Sequence, residues 1–263
     1  MTNAVSNMLK EIIISFQAFY SAHKFIVTHR LWKWIVLPGI VYCMLFVTGL
    51  YFFWTSCNDA TEWIINNSFL LKWIRHLEEN WFSLFFIIGQ IILRLLLLIF
   101  YFSLVKFLFL IIGSPVFSYL SEKTNSLIEG KEMKFDASVF VNDILRSIFI
   151  AIKNLGWQSF FVLILLLISV VPFIGWISPI VLLVIDCYYL GFSMLDHSNE
   201  RLNYTIAESQ DLISHHRGLS LGNGVVFYAF HLVPIIGWIF APSYALIAAT
   251  ISIHQAKKQE IIS

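Results

Sequence analysis

The chain has 263 residues, of which 59% are hydrophobic and only 13% are charged. In an average soluble domain, roughly half of the residues are hydrophobic and roughly a quarter are charged. This composition excludes an ordinary water-soluble fold and predicts an integral membrane protein whose first partner is the lipid bilayer. The net charge of +1 provides no broad basic field, so nucleic-acid binding is not expected. The three cysteines are odd in number and widely spaced, which indicates neither a disulfide framework nor a metal site.

The N-terminal part predicts one interfacial helix followed by one transmembrane helix. In residues 10–30 the apolar side chains fall on one helical face, and the segment is too short and too polar to cross a bilayer. Residues 35–54 carry no charge, and a helix of this length covers ~30 Å, the thickness of a hydrocarbon core. Residues 55–80 are polar and predict an external loop.

The next segment predicts a second transmembrane helix that is longer than the bilayer is thick. Residues 81–112 are apolar almost throughout and correspond to ~48 Å of helix. Gly113-Ser114-Pro115 is expected to end this helix. Residues 115–156 then predict two amphipathic helices on the cytoplasmic side, joined around Gly130.

An internal repeat is the most informative feature of the sequence. Two nearly identical heptapeptides, VPFIGWI at 171–177 and VPIIGWI at 233–239, lie 62 residues apart, and each is flanked by apolar arms. The first arms are shorter than the ~20 residues that a crossing helix needs. The pattern predicts helical hairpins at 157–194 and 223–254, separated by a cytoplasmic loop at 195–222. The prolines assigned to the hairpin tips are Pro172, Pro179, Pro234 and Pro242.

Together these segments predict a single membrane domain, 1–263, of the all-α class. It would contain two long transmembrane helices, two partly penetrating helical hairpins and amphipathic interfacial helices. Lysines and arginines near the spans place both termini on the cytoplasmic side, according to the positive-inside rule.

Paired apolar segments interrupted by Gly and Pro also mark binding sites in transporters. Ser178-Pro179 resembles an N-cap followed by a first-turn proline, which would direct the positive end of a helix toward a small anion. The alternative is that Pro-x-x-Gly only forms a tight turn.

Two charges within apolar runs require an explanation. Arg94 would cost ~3 kcal/mol if it faced lipid, and Asp186 poses the same problem with the opposite sign. Arg94 either lies on an anion path or takes part in a structural ion pair, and Asp186 is a possible partner. The sequence leaves both alternatives open.

With this layout, the chain resembles the CysZ sulfate-permease family of bacterial inner membranes and its eukaryotic relatives, the etoposide-induced membrane proteins. The resemblance extends over nearly the whole length. It rests on Leu37-Pro38, Ser114-Pro115 with Leu120 and Glu122, Gly191-Phe192 ahead of Asp196, then Arg217, Gly224 and Pro234.

The resemblance implies a multi-pass permease of the bacterial inner membrane for a small oxyanion, such as sulfate, acting as a homo-oligomer. The family's permeases carry a Gly-x-Arg-Arg-like stretch before the first span, where this chain has Arg30-Leu31-Trp32-Lys33. The alternative function is a membrane scaffold or biogenesis factor that binds lipid or partner proteins without transport. No enzyme activity, cofactor or metal is expected. The residues predicted along the substrate path are Arg94, Lys33, Arg30, Ser178, Gly175 and Gly237.

Overall fold

Every element described in this computed structural model is helical, which confirms the predicted all-α class. The described residues are 2–67, 80–131, 137–169 and 175–258. The α-helices in these ranges are α1 (Thr2–His29), α2 (Trp32–Asn67), α3 (Asn80–Glu129), α4 (Ala137–Ser169), α5 (Ser178–Arg201), α6 (Ile206–His215), α7 (Arg217–His231) and α8 (Ile236–Lys258), with a 3-10 turn at Gly175–Ile177.

Five of the described helical segments are long and apolar enough to cross a membrane, so the chain is a multi-pass membrane protein. Helix α7 is not among them because its 15 residues would cover only ~22 Å. The candidate spans are Trp32–Ser56, Ile87–Glu129, Phe140–Ser169, Gly175–Arg201 and Ile236–Lys258.

The expectation that Gly113-Ser114-Pro115 ends the second long helix was wrong. Helix α3 continues through Pro115 as far as Glu129. Proline has no backbone N–H, so it cannot bond to the carbonyl of Ile111, four residues earlier. The hydroxyl of Ser114 donates to that carbonyl instead, at 3.0 Å. Serine hydroxyls that satisfy such freed carbonyls allow proline inside membrane helices.

The join at Gly130 lies where it was predicted, but the helices on either side differ from the prediction. Gly130 has φ +66, and the N–H of Lys131 donates to the carbonyl of Ser126 at 3.0 Å, as in a glycine-terminated helix end. The preceding helix is the end of α3. The following helix, α4, continues from Ala137 to Ser169 and includes the predicted first arm of the first hairpin. Residues 115–156 are therefore not two separate helices.

A short turn at the second copy of the repeat joins α7 to α8, and these two helices pack against each other. The N–H of Gly237 donates to the carbonyl of Val233 at 2.9 Å, while Ile235 adopts φ +63. A β-branched residue in this region is strained. The predicted external loop at 55–80 also differs, because α2 continues to Asn67, and the remainder up to residue 79 lies outside the described residues.

The described residues group into two compact units. The first consists of Met1–Met44, Phe107–Asn154 and Asp186–Ser263. Within it, α1 packs on α7 and α8. Close approach depends on glycines: a Cβ on Gly224 would lie 2.0 Å from the carbonyl oxygen of Cys187, and one on Gly191 would lie 1.9 Å from that of Ser220. Helices α5 and α7 therefore meet backbone to backbone.

The second unit consists of Leu45–Lys106 and Leu155–Ile185. Its core joins segments of α3, α4 and α5 through a cluster of buried aliphatic side chains, against which Phe100 also packs. The buried members of this cluster are Ile92, Leu96, Val162, Leu165 and Leu182.

Candidate functional site

Three of the predicted path residues, Arg94, Ser178 and Gly175, lie in the second unit. Arg94 follows Ile92 in the apolar core cluster by two residues, so its side chain leaves α3 on the opposite face. Its side chain is exposed. The charge in the apolar helix is therefore directed away from the core of this unit.

Ser178 is the first residue of α5 and is 2% exposed. Its hydroxyl has no hydrogen-bond partner in the part of the chain that the structure describes. Pro179 follows without a backbone N–H, and the positive end of the dipole of a 24-residue helix lies at this position. A dehydrated hydroxyl donor at a helix N-terminus is suited to an oxyanion, which accepts hydrogen bonds and carries the opposite charge.

Gly175 brings the chain very close to the end of α4. A Cβ at this position would lie 2.4 Å from the carbonyl oxygen of Ser169, closer than real Cβ atoms approach an oxygen. A glycine is thus required where the 3-10 turn begins, because this turn approaches the end of α4 so closely. Pro172, which was assigned to the same tip, lies outside the described residues.

The other predicted path residues, Arg30, Lys33 and Gly237, lie in the first unit. Arg30 and Lys33 are exposed at the turn between α1 and α2, whereas Gly237 is buried near the start of α8. Among the tip prolines, Pro234 is exposed, Pro179 is half-buried and Pro242 is buried inside α8.

The pairing of Arg94 with Asp186 remains a prediction. Asp186 is fully buried and belongs to the first unit, whereas Arg94 belongs to the second.

The first unit also contains a buried network of charged side chains that sequence analysis did not predict. The guanidinium of Arg146 faces the carboxylate of Asp196 as a two-pronged pair, with Nη2 to Oδ1 at 2.8 Å and Nε to Oδ2 at 3.2 Å. Its Nε also lies 3.6 Å from Oε1 of Glu200, and its Nη1 donates to the carbonyl of Tyr204. One arginine thus connects α4, α5 and the chain that precedes α6.

Arg201 is the second cation of this network and connects three helices. Its Nη1 lies 3.2 Å from Oε2 of Glu122, and its Nη2 contacts Asp143 and, at 3.5 Å, Oε2 of Glu200. Neutral groups extend the network: the hydroxyl of Ser209 donates to Asp196.

The charge balance of this network determines what it can do chemically. Two guanidinium groups face four carboxylates, Glu122, Asp143, Asp196 and Glu200, and both arginines are mostly buried. The carboxylates outnumber the guanidinium groups, so the network would repel an oxyanion, because like charges repel. The network therefore suits helix positioning better than anion binding.

A signal for this network was present in the sequence. Asp143 and Arg146 are three residues apart, and Asp196 and Glu200 are four apart, so each pair shares one helical face. Asp143 and Arg146 were assigned to amphipathic helices outside the membrane, and Asp196 and Glu200 to a cytoplasmic loop. Their helices instead turn those faces toward each other. In the part of the chain that the structure describes, no group of three His, Cys, Asp or Glu side chains converges to hold a metal ion.

A family model described as "Sulfate transporter CysZ/Etoposide-induced protein 2.4" matches residues 18–242. The match includes the buried network, Ser178, Arg94 and the second copy of the repeat, and it confirms the resemblance noted from the sequence. The chain therefore belongs to the family of the sulfate transporter CysZ and the etoposide-induced protein 2.4.

Proposed function

We propose that this protein is an inner-membrane permease for a small oxyanion and that sulfate is the first substrate to test. The observation that carries this proposal is the family match over residues 18–242, since the family description names a sulfate transporter. Membership alone gives a class of substrate, because one fold hosts several functions. The site must therefore be argued from its own residues.

Ser178 is the proposed anion ligand. Burial has already removed water from its hydroxyl, and no described group takes the place of that water. A bound oxyanion would satisfy the hydroxyl and would also benefit from the positive end of the α5 dipole. The site needs no cofactor, and transport would be passive or coupled to an ion gradient.

Arg94 is proposed to line the path outside the core of its unit. A guanidinium facing lipid near the middle of a long apolar helix would cost ~3 kcal/mol or more. Water, an anion or a second copy of the chain would remove that cost. We therefore propose that Arg94 faces a polar path in a homo-oligomer.

The proposed topology has two fully crossing helices in α2 and α3, two partly penetrating hairpins, and both termini in the cytoplasm. Membrane-impermeant thiol reagents test it when cysteines replace two exposed residues, Lys131 and Asn203. Neither position should react in intact cells, whereas both should react after the membrane is opened. Labelling of either in intact cells would contradict this topology.

The transport proposal is tested by sulfate uptake into proteoliposomes that contain the purified full chain. Ser178→Ala should reduce uptake roughly tenfold, since a lost hydrogen bond to a charged group costs about 1.5 kcal/mol or more. It should not destabilise the protein, because the hydroxyl has no described partner. Ser169→Ala is the matched control, because its hydroxyl already donates to the carbonyl of Leu166 at 2.7 Å.

A second variant, Arg94→Gln, should reduce uptake while the folded yield is maintained. Lys153→Gln removes an exposed charge elsewhere and serves as its control. If wild-type vesicles take up no more sulfate than empty ones, and phosphate and other small oxyanions also fail, the permease proposal is wrong.

The alternative, a scaffold or biogenesis factor, is favoured by one observation. Helix α1 presents an exposed apolar face over most of its length, as expected of a surface that binds lipid or protein. A folded, oligomeric protein that is inactive in every uptake assay would support this second function.

A further inference from the structure

Helix α1 has two faces of opposite character. One face is buried against α7 and α8 and includes Ala18 and Ala22, both with no exposed surface. The other face carries large apolar side chains that are exposed to about half of their area. Spacings of three, four and seven residues place them in one stripe: Leu9, Ile13, Phe16, Tyr20 and Val27.

The buried face holds α1 in a fixed position. Oε2 of Glu11 accepts the backbone N–H of Gly218 at 2.9 Å, and its Oε1 lies 2.7 Å from Nδ1 of His216. The hydroxyl of Ser15 donates to the carbonyl of Leu219 at 3.0 Å. Because these contacts fix the rotation of α1 about its axis, the apolar stripe must face away from the first unit.

The exposed charged side chains of α1 are all basic among the described residues. Lys10 and Lys24 are exposed, and Nζ of Lys24 lies 4.6 Å above the ring of Tyr20. Glu11, the one acidic residue in the α1 sequence, is buried in the contacts with His216 and Gly218. The surface beside the stripe therefore carries uncompensated positive charge.

The position of α1 along the chain places its end at a membrane surface. Three residues after His29 the chain enters the span Trp32–Ser56. Trp32 and Trp34 are partly exposed at its start, and tryptophans in this position mark the boundary between hydrocarbon and headgroups. The last residue of the stripe, Val27, thus lies only five residues before this boundary in the chain.

We propose that α1 is a docking surface for anionic lipid. Its apolar stripe enters the boundary of the acyl chains, and Lys10 and Lys24 contact the phosphates of anionic headgroups. A second copy of the chain fits less well, because pairing two such stripes would bring lysines together with no exposed acid on either helix. This inference is independent of the substrate of the permease.

The test uses the full chain with its three native cysteines replaced by alanine and a fluorescent label on Phe16→Cys. The protein is reconstituted in equimolar phosphatidylglycerol and phosphatidylcholine, with bromine on the acyl chains of one lipid at a time. Met44→Cys, an exposed site in the first span without a nearby cation, is the control.

We expect brominated phosphatidylglycerol to quench the label at Phe16 several-fold more than brominated phosphatidylcholine. Each lysine near an anionic surface should favour binding of the anionic lipid roughly fivefold. The two lipids should quench equally at Met44. The preference at Phe16 should disappear in Lys10→Gln with Lys24→Gln, while quenching itself remains.

Three results would overturn the proposal. Equal quenching by both lipids at Phe16 would show an apolar contact without selection for charge. No quenching, together with crosslinks between Phe16→Cys residues of two copies, would assign the stripe to a homo-oligomer interface. No quenching and no crosslinks would place the stripe in water or against another part of the chain.

Discussion

Arg146 and Asp196 are 50 residues apart in the chain and form a bidentate ion pair. Nη2 and Nε of the arginine donate to Oδ1 and Oδ2 of the carboxylate, both within 3.2 Å. The geometry is the bidentate one that gives arginine its strongest contact with a carboxylate. Both side chains are largely removed from solvent. If one member of the pair were lost, too little water could reach the other charge to solvate it.

Removing one member of this pair should therefore damage the fold. Arg146→Gln should lower the free energy of unfolding by roughly 3–5 kcal/mol, because Asp196 stays buried without its counter-ion. Arg146→Gln combined with Asp196→Asn should recover part of the loss. Denaturant unfolding of the purified protein in detergent measures both. Lys153→Gln, at an exposed cation, should change stability by less than about 0.5 kcal/mol. An Arg146→Gln variant as stable as Lys153→Gln would contradict the proposed role.

Gly224 and Gly156 both lie inside helices, α7 and α4, but have different surroundings. Gly224→Ala should prevent the close crossing of α5 and α7, because the new Cβ would lie 2.0 Å from the carbonyl oxygen of Cys187. Gly156→Ala meets nothing within 4 Å and should stabilise α4 by about 1 kcal/mol. Thermal unfolding followed by size-exclusion chromatography distinguishes them. Similar effects of the two substitutions would show that helix propensity decides both positions.

Arg30 occupies a backbone conformation that suits glycine, with φ +54 at the turn after α1. Arg30→Gly should stabilise the folded state by up to about 1 kcal/mol, since a left-handed conformation costs a side-chain-bearing residue about that much. Thr28→Gly, within α1, should destabilise it by about 0.3 kcal/mol, because glycine is a somewhat poorer helix former than threonine. The free energy of unfolding is the measurement, and a loss of stability in Arg30→Gly would count against this account of the turn.

Thr205 and Glu208 cap the start of α6 reciprocally. The N–H of Glu208 donates to Oγ1 of Thr205 at 3.3 Å, and the N–H of Thr205 donates to Oε2 of Glu208 at 2.8 Å. The bond from the Thr205 N–H holds the pKa of the Glu208 carboxyl below its usual value. Because the folded-state pKa is the lower one, the cap is complete above the ordinary pKa of Glu and is lost as pH falls through the lowered value.

The hydroxyl of Thr205 also donates to Oε2 of Glu208, at 2.8 Å, and lowers the same pKa. Thr205→Ala removes this hydroxyl but keeps the backbone N–H, so it should raise the pKa of Glu208 part of the way toward the ordinary value, which carboxyl NMR of labelled glutamate would follow. Ser214→Ala removes a hydroxyl that donates to the carbonyl of Asp211 and should leave the pKa of Glu208 unchanged. An unchanged pKa in Thr205→Ala would show that the cap is not formed in solution.

The sequence alone determined the class of protein, the family and the places where the chain turns at Gly130 and around Pro234. These conclusions rest on local physics: uncharged apolar runs must be removed from water, and glycine and proline restrict the backbone wherever they occur. The end of α3 could not be predicted in this way. Whether Pro115 breaks a helix depends on whether another donor reaches the carbonyl of Ile111, and Ser114 provides that donor.

Only the tertiary structure decided which charges are buried. Asp143, Arg146, Asp196, Glu200 and Arg201 have the spacing of solvated helix faces, and nothing local distinguishes a face turned to water from one turned to another helix. The distinction arises when α4 and α5 bring opposite charges within 3.2 Å, as in the Arg146–Asp196 pair. The hydroxyl of Ser178 presents the same difficulty. Its position at a helix start follows from the sequence, but burial without a described partner is a property of packing.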